Sequence, residues 1–236
     1  MQGSICLFAF DLDAPLPPDA PQWLDDAERE RARRFATPNL RHRFIAGRAT
    51  VRRLLAETLG DAPGRLPIED DRNGKPRLRD RRLAFNLSHA ANHALLAIGP
   101  GGLALGIDIE RIEAIADVEA LVTICLSPAE RARFAGFQAQ AARRENFLRL
   151  WVRKEACLKA IGQGLRIEPA EFAVGFRPPG AGWRARVRDE RLRVSDLDLG
   201  ATGVAAGLAA ALAVVGPGPM PPLARLAWLA PSSPPY

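Results

Sequence analysis

The chain has 236 residues, of which 47% are hydrophobic and 25% charged, and its formal net charge is +6. This length and composition suit one large domain or two small ones and exclude disordered, collagen-like and coiled-coil classes. The longest apolar run, residues 204–215, is too short to cross a bilayer. No signal peptide is expected, since Asp11 and Asp13 interrupt the first apolar run, and three dispersed cysteines favour a reducing, cytoplasmic location.

The first part of the chain alternates between clear periodic segments and turn signals. The sequence predicts a strand at 5–10 and helices at 25–35 and 39–59. A polar, turn-rich segment at 61–82 follows, and then three short strands at 83–86, 94–98 and 103–109. The second helix has one apolar face and ends before Gly60, and residues 86–89 are expected to form a polar corner between strands.

The second part of the chain repeats this pattern. A helix is predicted to start at Pro128, after the capping box formed by Ser127 and Glu130. Another helix and three strands follow at 146–161, 172–176, 183–187 and 204–214.

A long helix followed by three strands thus occurs twice, which predicts an α+β fold built from two similar halves. The expected units are an N-terminal half (1–105), a C-terminal half (106–215) and a tail (216–236). The tail holds seven prolines and is predicted to lie on the surface or to be disordered.

Lysine is rare in this chain, because only Lys75, Lys154 and Lys159 stand among 33 basic residues. Arginine does not replace lysine where chemistry needs a compact ammonium, so these three positions are functional candidates, with chance survival as the alternative. Residues 28–53 hold nine arginines against two glutamates, a local charge of +7. Such a patch attracts phosphate groups, although a solvated helix face is the simpler interpretation.

The sequence Gly-Ile-Asp-Ile-Glu at 106–110 is the sharpest local feature. On a strand, Asp108 and Glu110 point to the same face, away from the two isoleucines. Two neighbouring carboxylates repel each other unless a cation or a base lies between them. The alternative is an edge strand with ordinary polar alternation.

The helix at 146–161 adds a further acid, because Glu155 and Lys159 are four residues apart and share one face. An ordinary surface salt bridge is the alternative. With Asp108 and Glu110, however, Glu155 would complete an oxygen site for Mg²⁺, and Lys159 could neutralise phosphate charge. The combination indicates phosphoryl transfer.

Two more segments offer phosphate-binding groups. Lys75 follows the Asn73-Gly74 turn signal and is predicted to be a phosphate clamp. Ser88 and His89 offer donors that could hold another phosphate. Walker A, dinucleotide-binding and kinase signatures are absent from the sequence, so the common ATP folds are not indicated.

Four segments, taken in order, resemble the surfactin-type 4′-phosphopantetheinyl transferases. They are Gly-Lys-Pro at 74–76, Asn-Leu-Ser-His at 86–89, the acidic strand at 106–110 and Trp-Val-Arg-Lys-Glu-Ala-Cys-Leu-Lys at 151–159. The resemblance covers roughly residues 5–215. It implies a pseudo-twofold α+β fold with coenzyme A and Mg²⁺, or alternatively Mn²⁺, between the halves. Such holo-[acyl-carrier-protein] synthases move 4′-phosphopantetheine from CoA to a serine of an apo carrier protein and release adenosine 3′,5′-bisphosphate.

The resemblance also implies residue roles. Asp108, Glu110 and Glu155 would hold the metal, Glu155 would act as the base, directly or through a water, and Lys159 would stabilise charge on the pyrophosphate. The implied CoA phosphate-binding residues are Arg48, Lys75, Ser88 and His89, together with Arg43 and Arg31.

Two positions depart from the family pattern. Ala90 stands where a serine or threonine is usual, and Glu28 where a basic residue often helps to bind CoA.

The implied partners are CoA and acidic carrier proteins or carrier domains, with neither a membrane nor a nucleic acid, and a monomer is expected. Two alternatives stay open. One is a CoA-binding relative without catalytic activity. The other is a basic nucleic-acid-binding protein, whose DNA binding would fall steeply with salt.

Overall fold

The computed structural model describes residues 3–111, 117–163, 166–176, 183–200 and 207–229. The helices are α1 (Ala20–Trp23), α2 (Asp26–Arg33), α3 (Pro38–Leu59), α4 (Val118–Cys125), α5 (Pro128–Phe134) and α6 (Gln140–Ile161). The strands are β1 (Ile5–Asp11), β2 (Ile68–Asp70), β3 (Pro76–Leu78), β4 (Leu83–Ala90), β5 (His93–Pro100), β6 (Leu105–Arg111), β7 (Trp183–Val187), β8 (Glu190–Asp196), β9 (Leu208–Val215) and β10 (Leu223–Trp228).

The strands form two four-stranded sheets with related topologies, in the orders β10-β1-β5-β4 and β6-β9-β8-β7, and β2 and β3 form a small hairpin. In the first half, β1 pairs antiparallel with β5, and β5 pairs antiparallel with β4. In the second half, β6 pairs with β9 and β9 with β8 in the same way. Each half also contains one 22-residue helix, α3 or α6. The predicted α+β fold of two similar halves is therefore confirmed.

Each long helix covers one face of its own sheet, and the remaining faces pack against each other. Apolar side chains of α3 share one core with β1, β4 and β5, and those of α6 share another with β7, β8 and β9. Between the sheets lies a third core, to which Leu7 and Leu95 contribute from the first half and Ile107 and Leu212 from the second. The two halves are thus joined by a buried apolar interface.

Local sequence signals set the ends of the helices. Thr37 accepts the N–H of Leu40 at the start of α3, and Gly60 ends that helix in the left-handed region at φ 70°. The predicted capping box of Ser127 and Glu130 starts α5. Gly162 ends α6 with φ 71°.

Several predicted elements differ from the structure. The segment 86–89 lies inside β4 rather than at a corner, and α6 begins at Gln140, before the predicted start. The hairpin of β2 and β3 lies in the segment predicted to be turns, and β8 was not predicted. Part of the predicted strand 204–214, residues 204–206, lies outside the described residues.

The strand prediction for 172–176 is wrong. In this segment, side chains instead of a neighbouring strand form hydrogen bonds with the backbone. Lys154 donates to the carbonyl oxygen of Phe172, and Glu130 accepts the N–H groups of Val174 and Gly175. Buried peptide groups need partners, and here two charged side chains provide them.

No strand was predicted in the tail, yet residues 223–228 form one, and its described side chains are exposed or half-buried. This segment forms β10, which runs parallel to β1 at the edge of the first sheet, with Leu226 beside Leu7. Ile5 donates its N–H to Pro222, and Leu229 donates to Ala9. The end of the chain thus returns to the first half. Across the described parts of the chain, no helix combines the length and the apolar character needed to span a membrane.

Candidate active site

At one side of the packed sheets, the edge strand β4 runs beside β6, the edge strand of the other sheet. The side-chain oxygen of Asn86 accepts the backbone N–H of Ile107 at 2.7 Å. Ser88 Oγ donates to Asp108 Oδ1 at 2.9 Å, and both side chains are buried. The structure therefore brings the predicted serine and acidic motifs together, at the boundary between the halves.

The helix α6 lies directly against β6 because of Gly106. A Cβ at this position would overlap the carbonyl oxygen of Ala156 and the backbone nitrogen of Ala160. Only glycine permits such a close approach of a strand to a helix. This contact places Glu155 and Lys159 above the acidic strand.

Asp108 is the centre of the site. The ammonium of Lys159 lies 2.6 Å from its Oδ1 and 3.0 Å from Ser88 Oγ. Burial raises the pKa of Asp108, and the charge of Lys159 opposes that shift. Its second oxygen, Oδ2, is buried and has no hydrogen-bond partner among the described residues. This oxygen could accept a further hydrogen bond or bind a cation.

Glu110 and Glu155 are half-buried beside Asp108. Burial raises the pKa of both, and the charge of Asp108 raises it further; Glu155 adds to the shift at Glu110. The three carboxylates therefore interact electrostatically. Among the described residues, no three His, Cys, Asp or Glu side chains lie close enough together to hold a metal ion. The role of Asp108, Glu110 and Glu155 as metal ligands therefore stays a prediction.

A cavity of about 600 Å³ lies in the first half, next to this site. His89 and three predicted phosphate-binding arginines, Arg31, Arg43 and Arg48, line it together with apolar side chains. The ring of Phe44 lies 5.3 Å from the guanidinium carbon of Arg31 and 5.7 Å from that of Arg48. A basic cavity with an aromatic wall suits a ligand that has both phosphates and a flat ring.

Two of these residues are influenced by neighbouring charges. Arg43 forms a bidentate ion pair with Asp13, with both distances 2.6 Å, and this pair raises the pKa of Arg43 and lowers that of Asp13. Burial, followed by the charges of Lys159 and Arg43, lowers the pKa of His89. The ligand-free site therefore disfavours the charged form of His89, whose ring N–H can still donate to a phosphate.

Lys75 has contacts that the sequence did not predict. Its neighbours Gly74 and Pro76 line the cavity, but its ammonium donates to the carbonyl oxygens of Leu105 at 2.7 Å and Lys159 at 2.6 Å. Burial lowers its pKa to about 8. Lys75 thus links the hairpin turn to β6 and to the end of α6, and its role as a phosphate clamp stays a prediction.

Lys154 lies away from the carboxylates, although it is one residue from Glu155. It is fully buried, forms an ion pair with Glu130 at 2.8 Å and donates to the carbonyl oxygens of Pro169 and Phe172. It holds α6 to the neighbouring segment. Of the three lysines, only Lys159 places its ammonium in the site.

Sequence reasoning missed several residues that shape the site. Gly106 had a readable signal, since a glycine within a strand often marks close approach of another backbone. Glu28 also had one, because it stands three residues after Asp25 and completes a capping box with it. The hydrogen bond from Ile107 to Asn86 had none, since it joins residues from different halves.

Carboxylates beside a basic cavity are typical of enzymes that act on phosphate esters, and comparisons with known proteins agree. The profile of the 4′-phosphopantetheinyl transferase superfamily matches residues 104–211. The profile described as 4′-phosphopantetheinyl transferase, N-terminal, matches residues 19–100. The boundary between the two matches falls near the predicted boundary between the halves.

Individual relatives carry the same name. The 4′-phosphopantetheinyl transferase HetI of Nostoc sp. is 35% identical over 181 residues, which are 74% of this chain and 76% of that protein. The human L-aminoadipate-semialdehyde dehydrogenase-phosphopantetheinyl transferase is 29% identical, over 72% of this chain and 60% of that protein. The 4′-phosphopantetheinyl transferase of Bacillus subtilis is 28% identical, over 65% and 66%. The chain belongs to the 4′-phosphopantetheinyl transferase superfamily, and the nucleic-acid-binding alternative is not favoured.

Proposed function

We propose that this protein transfers the 4′-phosphopantetheine arm of CoA to a serine of an apo carrier protein in a Mg²⁺-dependent reaction. The main support is the position of the Asp108 carboxylate, which lies between a lysine of one half and a serine of the other, beside a basic cavity. The released product is adenosine 3′,5′-bisphosphate.

Two observations favour a divalent cation at the site, although the three acids are not gathered into a closed ligand set. Asp108 has a buried carboxylate oxygen that no described residue hydrogen-bonds, and the raised pKa values of Glu110 and Glu155 reflect in part the repulsion between the three acids. Positive charge would relieve that repulsion. Asp108, Glu110 and Glu155 would hold Mg²⁺, which favours carboxylate and phosphate oxygens and would neutralise charge on the pyrophosphate.

Glu155 is the proposed base. It takes the proton of the carrier serine, whose oxygen forms a bond to the phosphorus that bears the pantetheine arm. The bond from this phosphorus to the oxygen of the adenosine-side phosphate breaks, and that oxygen leaves with the electron pair. Burial and the charge of Asp108 raise the pKa of Glu155, and the charge of Lys159 opposes that shift. Glu155 can accept the proton only if the cation and Lys159 do not lower its pKa too far.

The basic groups hold the substrate. Lys159, anchored between Asp108 and Ser88, would neutralise charge that develops on the pyrophosphate. Arg43, Arg48 and His89 would bind CoA phosphates from the wall of the cavity. The net charge of +6 supports acidic carrier proteins as partners, and a cleft formed by two halves of one chain supports a monomer.

The test is incubation with CoA, Mg²⁺ and a panel of apo carrier proteins, followed by intact mass measurement. The expected result is a mass increase of one phosphopantetheine arm on at least one carrier, its loss with a chelator and its recovery on adding Mg²⁺. CoA binding without transfer to any carrier would favour the non-catalytic alternative. Transfer that survives exhaustive chelation would overturn the metal assignment.

A further inference from the structure

Glu28, on α2, contacts two arginines of the neighbouring helix α3. Its Oε2 lies 2.7 Å from Nε of Arg52, and its Oε1 lies 3.6 Å from Nε of Arg48. The two arginines are four residues apart and therefore lie on the same side of α3. One buried carboxylate thus connects a deeply placed arginine with one that lines the cavity.

The Glu28 carboxylate is fixed from its inner side. Arg52 is 0% exposed and also donates to Asp25 and to the carbonyl oxygens of Pro63 and Leu66. The backbone N–H of Asp25 donates to Glu28 Oε2 at 3.1 Å, and the Glu28 N–H donates to Asp25 at 2.8 Å. These bonds leave the side chain of Glu28 little freedom.

Arg48 is held between Glu28 and an aromatic ring. Its side chain is only 14% exposed, and its guanidinium carbon lies 5.7 Å from the centre of the Phe44 ring. Within the part of the chain that the structure describes, no acceptor takes a hydrogen bond from its two terminal nitrogens. Those donors are therefore oriented and available to a phosphate.

We propose that Glu28 is a positioning residue for CoA binding, which orients Arg48 toward a phosphate of the substrate. This inference rests on the proposed function. It also gives a reason for an acid at a position where the family often has a basic residue. The basic group comes from α3, and α2 supplies the carboxylate that fixes it.

Charge and positioning predict opposite effects, which makes the inference testable. A negative charge close to an anion site weakens anion binding, so removal of Glu28 would strengthen CoA binding if charge alone mattered. If Glu28 orients Arg48, its removal weakens CoA binding instead. The sign of the change decides between the two effects.

The experiment is calorimetric titration of the full-length protein with CoA, for wild type, Glu28→Gln, Arg48→Gln and the double variant. We expect the dissociation constant to rise about tenfold in each single variant, as for loss of a charged hydrogen bond. The double variant should bind no more weakly than Arg48→Gln, because Glu28 acts through Arg48.

Two variants serve as controls. Glu30→Gln removes the same charge from the exposed side of α2, and its CoA affinity should be unchanged or slightly higher. Glu57→Gln removes a carboxylate from α3 that pairs only with Arg53 at the surface among the described residues, and its CoA affinity should also be unchanged. If Glu28→Gln does not fold, Glu28→Asp keeps the charge beside Arg52 and should still weaken CoA binding.

CoA binding that is unchanged or tighter in Glu28→Gln, or losses that add in the double variant, would overturn the positioning role. So would wild-type affinity in Arg48→Gln. Failure of the wild-type protein to bind CoA would instead reject the proposed function itself, so the two failures are distinguishable.

Discussion

The two halves differ in how their charges are balanced at the site. In the first half, Arg43 is paired with Asp13 and Arg48 with Glu28, so the basic cavity is balanced by acids of its own. In the second half, three interacting carboxylates share one ammonium, that of Lys159, which lies closest to Asp108. In the first half, acids hold the arginines in place. In the second half, the acids outnumber the one ammonium, so the site attracts further positive charge.

This difference arises on two sheets with related topologies. The edge strand β4 carries Ser88 and His89, and the edge strand β6 carries Asp108 and Glu110. Similar folds therefore fix where side chains meet, while the side chains themselves decide the chemistry. The predictions below test whether the acidic side performs the reaction and what holds the two sides together.

The largest expected effect is at the centre of the acidic side. Asp108→Ala should lower the rate of phosphopantetheine transfer about 10³-fold, because it removes the carboxylate that joins Lys159 to Glu110 and Glu155, the other proposed metal ligands. The fold should persist, since Lys159 can reach solvent once its partner is gone. Intact mass of the carrier gives the rate and thermal denaturation the stability. A rate near that of wild type would remove the basis for a metal site here.

Glu155→Gln tests the base on the same side. The amide keeps the shape of the side chain but cannot accept the serine proton, so transfer should fall about 10²- to 10³-fold while CoA still binds. The matched control is Glu145→Gln, on the exposed face of the same helix, which should transfer at the wild-type rate. Equal activity of the two variants would show that Glu155 is not the base.

Gly106→Ala tests the contact that brings α6 to the acidic strand. The added methyl group overlaps backbone atoms of Ala156 and Ala160, so α6 must shift. We expect destabilisation of about 1–3 kcal/mol and a drop in kcat of about tenfold or more, measured by denaturant unfolding and steady-state kinetics. Gly64→Ala, whose Cβ would have ordinary contacts of 3.5 Å or more, should be close to neutral.

Lys75→Ala tests how the first half is linked to the second, and its effect on the reaction should be the smallest. Because its ammonium binds the carbonyl oxygens of Leu105 and Lys159, we expect the melting temperature to fall by about 2–4 °C, with the KM for CoA changed less than kcat.

The control for this change is Arg72→Ala, which removes an exposed cation from the same turn and should leave the melting temperature unchanged. A large increase in the KM for CoA without loss of stability would establish Lys75 as the phosphate clamp instead.

Much of the scaffold could be predicted because its signals are local. The apolar face of α3, the capping box of α5 and the glycines that end α3 and α6 each lie within one short stretch of sequence. The short strands β2, β3 and β10 were missed, because a strand of a few residues is stabilised mainly by the strands beside it.

The sequence by itself determined the two-part α+β plan and the residue types of the site, since periodicity, caps and motif order are properties of neighbouring residues. Tertiary structure decided which of those groups meet. It brought Ser88 to Asp108, turned Lys75 toward backbone carbonyls and placed Glu28 between two arginines. The reason is physical: a side chain takes whichever partner the packed core brings within hydrogen-bond distance, and residues 20 to 84 positions apart become neighbours only through the fold.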